Sequence, residues 1–194
     1  MIGLLLKPSS NKPRLLGFPI SNWSKTLTSE VFKCPFFSVS LSTLNFSSFK
    51  KDYYVINFGP RSGVVVVKDD KILLTSQYRQ LIDDLSLEIP GGKVEAGETF
   101  QAGAIRECIE EVGILCKSLE MVCEYYPGLD NVNNQTKIFF CNDFDSSPDF
   151  TYNLDEVVGI SWVHIDECLE MISSQKILDC MTITGILAVK SRYF

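Results

Sequence analysis

The stretch from Gly92 to Ile114, GKVEAGETFQAGAIRECIEEVGI, constrains this chain more than any other. From Thr99 to Val112 the apolar residues Ala104, Ile105, Cys108, Ile109 and Val112 recur at helical spacing and form one broad stripe, which predicts an amphipathic helix. Glu107, Glu110 and Glu111 fall on the opposite side, at i, i+3 and i+4. Like charges at that spacing cost a bare helix roughly 0.2–0.5 kcal/mol per pair. A solvated face would normally interleave lysine. Here the only cation in the second half of the segment is Arg106, too little to neutralise its neighbouring carboxylates. A hard divalent cation meets the deficit, because magnesium is held by oxygen ligands, one or two carboxylates and several waters. For the three glutamates taken alone, an exposed acidic helix without a ligand is the competing reading.

The 194 residues are 45% hydrophobic and 22% charged, enough for one packed domain with an extension and too apolar for disorder. A net charge of -6 and a pI near 4.9 argue against a nucleic-acid binder, whose surface would be basic. The seven cysteines (Cys34, Cys108, Cys116, Cys123, Cys141, Cys168, Cys180) are odd in number and contain no C-x-x-C pair. They read as reduced core thiols of a cytoplasmic protein. No run approaches the ~18 apolar residues of a membrane span. The opening MIGLLL is interrupted by Lys7 and Pro8, too early for a secretory leader. His164 is the single histidine, which excludes a Ser-His-Asp triad elsewhere and a multi-histidine zinc site. It lies in the apolar run from Ile160 to Ile165 and reads as structural or surface.

Residues 1–62 are serine-rich and aromatic, with short alternating patches broken by Pro8, Pro13, Pro19 and Pro35. They predict a few short strands or a hairpin. Trp23, Phe32, Phe36, Phe37, Tyr53, Tyr54 and Phe58 require burial, which argues against disorder. The composition shifts at Gly63, so residues 63–194 are taken as the main domain. GVVVVKDDKILLTSQYR reads as a strand, a turn at Asp69-Asp70 and a second strand. LSLEIPGG reads as a short strand feeding the glycine loop. Residues 118–126 and 136–141 are two more strands, 142–156 a polar acidic loop, and 159–164 a strand. Asp166 is the expected cap of a helix ending near Ser173, and a last helix is expected over about 179–190. Strands interleaved with two or three helices imply an α/β fold with a mixed sheet and helices on both faces.

The whole segment, with its glycine, glutamate, Arg-Glu, Glu-Glu and final glycine at fixed spacing, resembles the signature of the Nudix hydrolases. All its fixed positions match: Gly92, Glu98, Arg106, Glu107, Glu110, Glu111 and Gly113. Cys108 departs softly, standing where the family has leucine or isoleucine; it serves as a small hydrophobe. Gly103 costs about 1 kcal/mol relative to alanine inside a helix, and nothing in the sequence accounts for it. The resemblance implies a Nudix-type α/β/α sandwich over about 63–190. Five further features resemble the ADP-ribose pyrophosphatase branch: DYYVINF, the triplet Gln77-Tyr78-Arg79, Leu87 to Gly92, Pro127-Gly128, and the ending DECLEMISSQKILDCMTITGILA. In that branch the N-terminal strands pack across a homodimer and close the partner's site. The same is expected of residues 1–62.

The family cleaves a nucleoside diphosphate linked to a second group. Water attacks one phosphorus, and metal positioning with charge stabilisation supplies most of the rate. By resemblance, Glu107 and Glu111 are the principal ligands of Mg2+, with Mn2+ as a possible substitute. Glu110 is a shared or outlying ligand, the Gly91 carbonyl is a further ligand, and Arg106 pairs with Glu98 to hold helix and loop in register. Arg79 is either a bidentate phosphate contact or an exposed arginine at a strand end. The general base is expected where the 142–156 loop ends, at Glu156 in preference to Asp155, the alternative being two solvated acids. Pro127 and Asp130 are expected at the substrate. Where the branch carries an acid directly after Pro-Gly this chain has Leu129, so either Asp130 substitutes or the loop accepts another sugar. The expected activity is magnesium-dependent hydrolysis of ADP-ribose to AMP and ribose 5-phosphate, by a cytoplasmic homodimer with no nucleic-acid or membrane partner. The alternatives are a nucleotide-sugar diphosphatase acting on GDP-mannose or an ADP-sugar, and a non-catalytic Nudix sensor, which would be expected to have eroded these carboxylates.

Overall fold

The computed structural model describes residues 23–147 and 157–194. Alternating polar and apolar residues ahead of the composition shift build an antiparallel meander of Trp23–Lys33 (β1), Ser38–Phe46 (β2) and Lys50–Asn57 (β3). The next strands are Arg61–Lys68 (β4), Lys71–Arg79 (β5), Asp84–Glu88 (β6) and Gly91–Lys93 (β7). The helix Phe100–Val112 (α1) follows, then Ile114–Cys116 (β8), Glu120–Tyr125 (β9), Val132–Asn133 (β10), Thr136–Cys141 (β11) and Phe144–Ser146 (β12). Gly159–His164 (β13), Ile165–Ser173 (α2) and Cys180–Tyr193 (α3) end the chain. The strand order of the large sheet is β13-β5-β4-β11-β9, with β6 on β5 and β7 on β4. It is mixed: β11 runs parallel to β4, and β5, β9 and β13 pair antiparallel. A separate sheet, β1-β2-β3-β10, holds the N-terminal meander.

The run of four valines explains the layering. Val64, Val65, Val66 and Val67 are all buried, so β4 must be covered on both faces. Successive side chains point to opposite faces. Val65 and Val67 pack with Ile72, Leu74, Ile138, Ile165, Met181, Ile186 and Val189, beneath α2 and α3. Val64 and Val66 pack with Leu73, Ala104, Cys108, Val112 and Phe139, beneath α1. Each such side chain contributes roughly 1.5–3 kcal/mol when fully buried. The mixed sheet with helices on both faces is therefore the expected α/β sandwich. Its first strand begins at Arg61, two residues ahead of the composition shift.

Local chemistry sets the boundaries. Asp69 and Asp70 both take left-handed backbone angles (φ 49 and 58), as a two-residue hairpin turn between right-twisted strands requires. Thr99 caps α1 by accepting from Ala102 N at 3.1 Å, and left-handed Gly113 (φ 66) ends it. Asp179 caps α3, accepting from Thr182 N and Oγ1, both at 2.7 Å. The cap of α2 differs from expectation. His164 Nδ1 accepts from Asp166 N at 3.3 Å, and Asp166 instead binds Lys190 Nζ of α3 at 2.8 Å. The chain turns helical two residues earlier than expected, because His164 offers the acceptor and Asp166 is drawn to a cation. The N-terminal aromatics also differ. Phe36 is 80% exposed, Tyr54 60% and Phe32 52%, because neither core cluster takes any of the described side chains of β1–β3. Among the described residues no helix is long and apolar enough to cross a membrane.

Candidate active site

The site forms where α1 crosses β7. This strand pairs with β4 so that Gly91 lies opposite Gly63, Gly92 opposite Ser62 and Lys93 opposite Arg61. The turn backbone presses on the helix so closely that a side chain at Gly92 would collide with the Glu107 carboxylate. Gly103 does the same from the helix side. A Cβ there would sit 3.0 Å from Glu98 Oε2, 3.1 Å from Ser62 Oγ and 3.3 Å from Val94 Cγ2. Close approach of helix and loop is the account of this helix-interior glycine, set against about 1 kcal/mol of propensity.

Arg106 is the hub of the acidic face. Its Nε donates to Glu98 Oε1 at 3.1 Å, and its Nη2 donates to Glu98 Oε2 at 3.2 Å and to the Lys93 carbonyl at 2.8 Å. Nη1 donates to Glu107 Oε1 and Glu110 Oε2, both at 2.9 Å. Five N–H donors make one guanidinium able to hold three carboxylates at once. Hydrogen bonding to Glu98 pushes Arg106 further up from its ordinary value, and the same contact holds Glu98 below the usual carboxylate range. Glu98 also accepts from Glu95 N at 2.9 Å, which ties the loop to itself. Glu110, 57% exposed, lies on the outer side of this knot.

Glu111 forms no ion pair among the described residues. Its Oε1 accepts from Gln77 Nε2 at 2.7 Å and its Oε2 from Gly91 N at 2.9 Å. Burial pushes its carboxyl up to about 7, against the pull of Gly91 and Gln77. Burial raises Glu107 as well, with Arg106 opposing. Both carboxylates line a cavity of about 330 Å³ with Arg61, Gln77, Tyr78, Arg79, Gly91, Gly92 and Val158. Among the described residues no set of three or more His, Cys, Asp or Glu side chains is grouped to cage a metal ion. Two carboxylates one helical turn apart, withdrawn from water and facing room for more oxygen ligands, fit the looser way in which magnesium is held.

A second cavity, about 390 Å³, shares Arg61 and Arg79 with the first and is lined further by Leu81, Ile82, Glu88, Tyr125, Pro127, Thr136, Asp179 and Met181. Arg79 is not a free strand-end arginine: its Nε donates to Glu88 Oε1 at 2.7 Å and its Nη2 to Glu88 Oε2 at 2.5 Å. The structure thus brings Glu107, Glu111, Gly91 and Arg79 to one cavity and Pro127 to the adjoining one, with Glu98, Arg106 and Glu110 behind them. Asp130 is exposed and lines neither cavity. Asp155 and Glu156 lie outside the described residues. Sequence reasoning missed Arg61, the support that Gln77 lends Glu111, and Glu88. A signal for Glu88 existed: alternation along β6 puts it with Ser86 on the buried face, and a buried acid demands a partner.

A family model for the NUDIX domain matches residues 57–178. The chain is 25% identical over 124 residues to a methanol dehydrogenase activator of Bacillus methanolicus, a match covering 63% of this chain and 67% of the relative. It is 26% identical over 124 residues, with the same coverage, to an ADP-ribose pyrophosphatase of Bacillus subtilis (strain 168). Its fold is similar to the crystal structure of an ADP compounds hydrolase, with a TM-score of 0.77 and 15% identity, over 90% of this chain and 96% of that one. The matched family region takes in the glycine turn, α1 and the carboxylates knotted by Arg106, and with that match the reading from the residues upward is settled: the chain belongs to the Nudix hydrolases.

Proposed function

We propose that this protein hydrolyses the diphosphate of a nucleoside diphosphate linked to a second group, with ADP-ribose as substrate and AMP and ribose 5-phosphate as products. One observation carries the reading: two water-poor carboxylates on successive turns of α1 face the same cavity as two arginines, beside a second cavity large enough for a substrate's outer group. Glu107 and Glu111 would hold magnesium, with the Gly91 carbonyl as a further oxygen. Bound there, the ion would neutralise phosphate charge and lower the pKa of a water. Gln77 and the Gly91 N–H orient Glu111, while Arg106 orients Glu107 and keeps Glu110 at the rim as an outlying ligand. Arg79, steadied by Glu88, presents its remaining N–H donors to phosphate. Pro127 contacts the outer group, and Asp130 reaches it only if its loop folds inward. Glu156 is proposed, on sequence grounds, to take the proton from the attacking water.

ADP-ribose is preferred because the chain is similar to an ADP-ribose pyrophosphatase and resembles that branch in its Gln77-Tyr78-Arg79 triplet and in Leu87 to Gly92. The exposed position of Asp130 favours keeping a nucleotide-sugar as the second reading. A cytoplasmic homodimer is the proposed setting, with residues 1–62 as its joining extension. The exposed Val31, Phe32, Phe36, Phe49, Tyr54 and Phe58 of the small sheet support a partner subunit there.

The test is turnover of ADP-ribose, ADP-glucose and GDP-mannose, each with magnesium and with EDTA, by the wild type and by Glu111→Gln. Magnesium-dependent AMP release from ADP-ribose that disappears in Glu111→Gln is expected. Cleavage of GDP-mannose alone would move the substrate and keep the site. If nothing is cleaved but one compound raises the melting temperature, the protein is a ligand sensor and the hydrolase roles fall.

A further inference from the structure

Two arginines line the two cavities and a third, Arg106, stands behind them, and the three are not equivalent. Arg106 is saturated by Glu98, Glu107, Glu110 and the Lys93 carbonyl. Arg79 gives two donors to Glu88. Arg61, at the start of β4, is half-buried and lines both cavities, yet its guanidinium pairs with no carboxylate among the described residues. Its backbone N–H is used, donating to the Gln135 carbonyl at 2.8 Å, so the residue is anchored while its side-chain donors are unspent. Its charge reaches Glu88 and Glu107 and favours the ionised form of each.

The charge tally makes the point sharper. Arg79 and Glu88 cancel. A divalent cation would cancel Glu107 and Glu111. What remain are Asp179, whose carboxylate caps α3 at the second cavity, and Arg61, which lines both cavities and alone offers an uncommitted planar fork of donors that matches a phosphate edge.

We propose that Arg61 is a substrate-binding residue that grips the diphosphate at the junction it lines, where the phosphate chain passes from one cavity to the other. This deepens the diphosphate-hydrolase reading above and rests on it. Arg61 has no local sequence motif around it; only the pairing of β4 with β7, which sets Arg61 opposite Lys93 beside the glycine turn, brings it to the site.

The experiment compares the full-length wild type with Arg61→Gln and Arg61→Lys. Inorganic pyrophosphate is titrated calorimetrically, with magnesium and with EDTA, and kcat and KM are measured on ADP-ribose. Arg61→Gln is expected to weaken pyrophosphate roughly 10- to 100-fold, the size of one charge-assisted contact, and to raise KM in step. Arg61→Lys should recover part of both, since it keeps the charge and loses the fork. Because the side chain makes no hydrogen bond among the described residues, Arg61→Lys, which keeps the charge that reaches Glu88 and Glu107, should melt with the wild type and Arg61→Gln only slightly below it, which separates lost binding from lost fold. An unchanged pyrophosphate affinity in Arg61→Gln overturns the inference, and so does a wild type that binds no pyrophosphate. The proposed function fails separately: if no diphosphate is turned over, the pyrophosphate titration still decides Arg61, and if ADP-ribose is cleaved with that titration unchanged, Arg61 falls and the hydrolase stands.

Discussion

Arg79→Met should unfold the protein more easily, and it should do so in a pH-dependent way that identifies the cause. Glu88 is 8% exposed at its side chain, and both its oxygens are taken by the Arg79 guanidinium. Burial alone would push the Glu88 carboxyl up. The Arg79 hydrogen bonds and charge, helped by Ser86 and Arg61, more than reverse this and hold it below the usual carboxylate range. Removing one partner of a fully buried pair costs about 3–5 kcal/mol, because the other charge is left stranded. Arg79 is 43% exposed, so water screens part of the interaction and the expected loss falls to about 2 kcal/mol at pH 8.

The sign of the pH dependence follows from linkage. In the wild type the folded pKa of Glu88 is depressed, so the pair's contribution is present above the unfolded value of about 4.3 and is lost as pH falls through the folded value. In Arg79→Met burial is opposed only by the weaker pull of Ser86 and Arg61, and the folded pKa moves above the unfolded one. The folded variant then binds more protons than the unfolded chain, and its stability declines as pH rises through that window. The gap between the two proteins is therefore narrow near pH 5.5 and widest near pH 8. Urea denaturation at several pH values measures it, on the alkaline side of the pI near 4.9 to keep the protein soluble. The double variant Arg79→Met/Glu88→Gln, which removes the stranded charge, should regain most of the loss and flatten the curve. A gap that is the same at both pH values, or that Glu88→Gln does not relieve, would refute the argument.

Three further expectations follow. Gly103→Ala should lower stability by about 1 kcal/mol in spite of its better helix propensity, since the new Cβ meets Glu98, Ser62 and Val94 at 3.0–3.3 Å; a melting temperature equal to or above the wild type's would show that the loop gives way. Arg106→Lys keeps the charge and loses the fork that spans Glu98, Glu107, Glu110 and Lys93. It should cut kcat/KM by about 10²-fold with ADP-ribose, as expected when catalytic groups are misplaced, and activity near the wild type's would deny Arg106 its positioning role. Iodoacetamide at pH 7.5 should modify exposed Cys180 first and leave Cys116 and Cys168 to unfolding. Hydrogen bonding to Cys108 pushes Cys116 up to about 12, and burial pushes Cys168 up to about 11. Mass spectrometry that finds the core thiols modified as fast as Cys180 would contradict the packing.

What could be read from the sequence and what could not divides along a physical line. The strands at 136–141 and 159–164, the Asp69-Asp70 turn and the helix begun by Thr99 and closed by Gly113 are set by residues within a few positions of one another, so periodicity and caps disclose them. The α2 cap went to His164 because Asp166 found Lys190, which is 24 residues away. The exposure of Phe32, Phe36 and Tyr54 could not be read either, because burial depends on what covers a strand and not only on its own pattern.

The carboxylates of α1 make the same point inside the site. On a helical wheel Glu107, Glu110 and Glu111 are three like acids sharing one arginine. Long-range contacts make them different. Arg106 turns to Glu107 and Glu110, while Gln77 from β5 and the Gly91 N–H from β7 turn to Glu111, which forms no ion pair among the described residues. The helix alone therefore announces a charge deficit, and the sheet decides where it falls. It falls on the cavity side of α1, in the cavity also lined by the one arginine at the site that no carboxylate has claimed among the described residues. A cavity lined by an acid and by a guanidinium that form no ion pair among the described residues is organised to hold a cation and a polyanion together, and either one alone would leave a charge uncompensated.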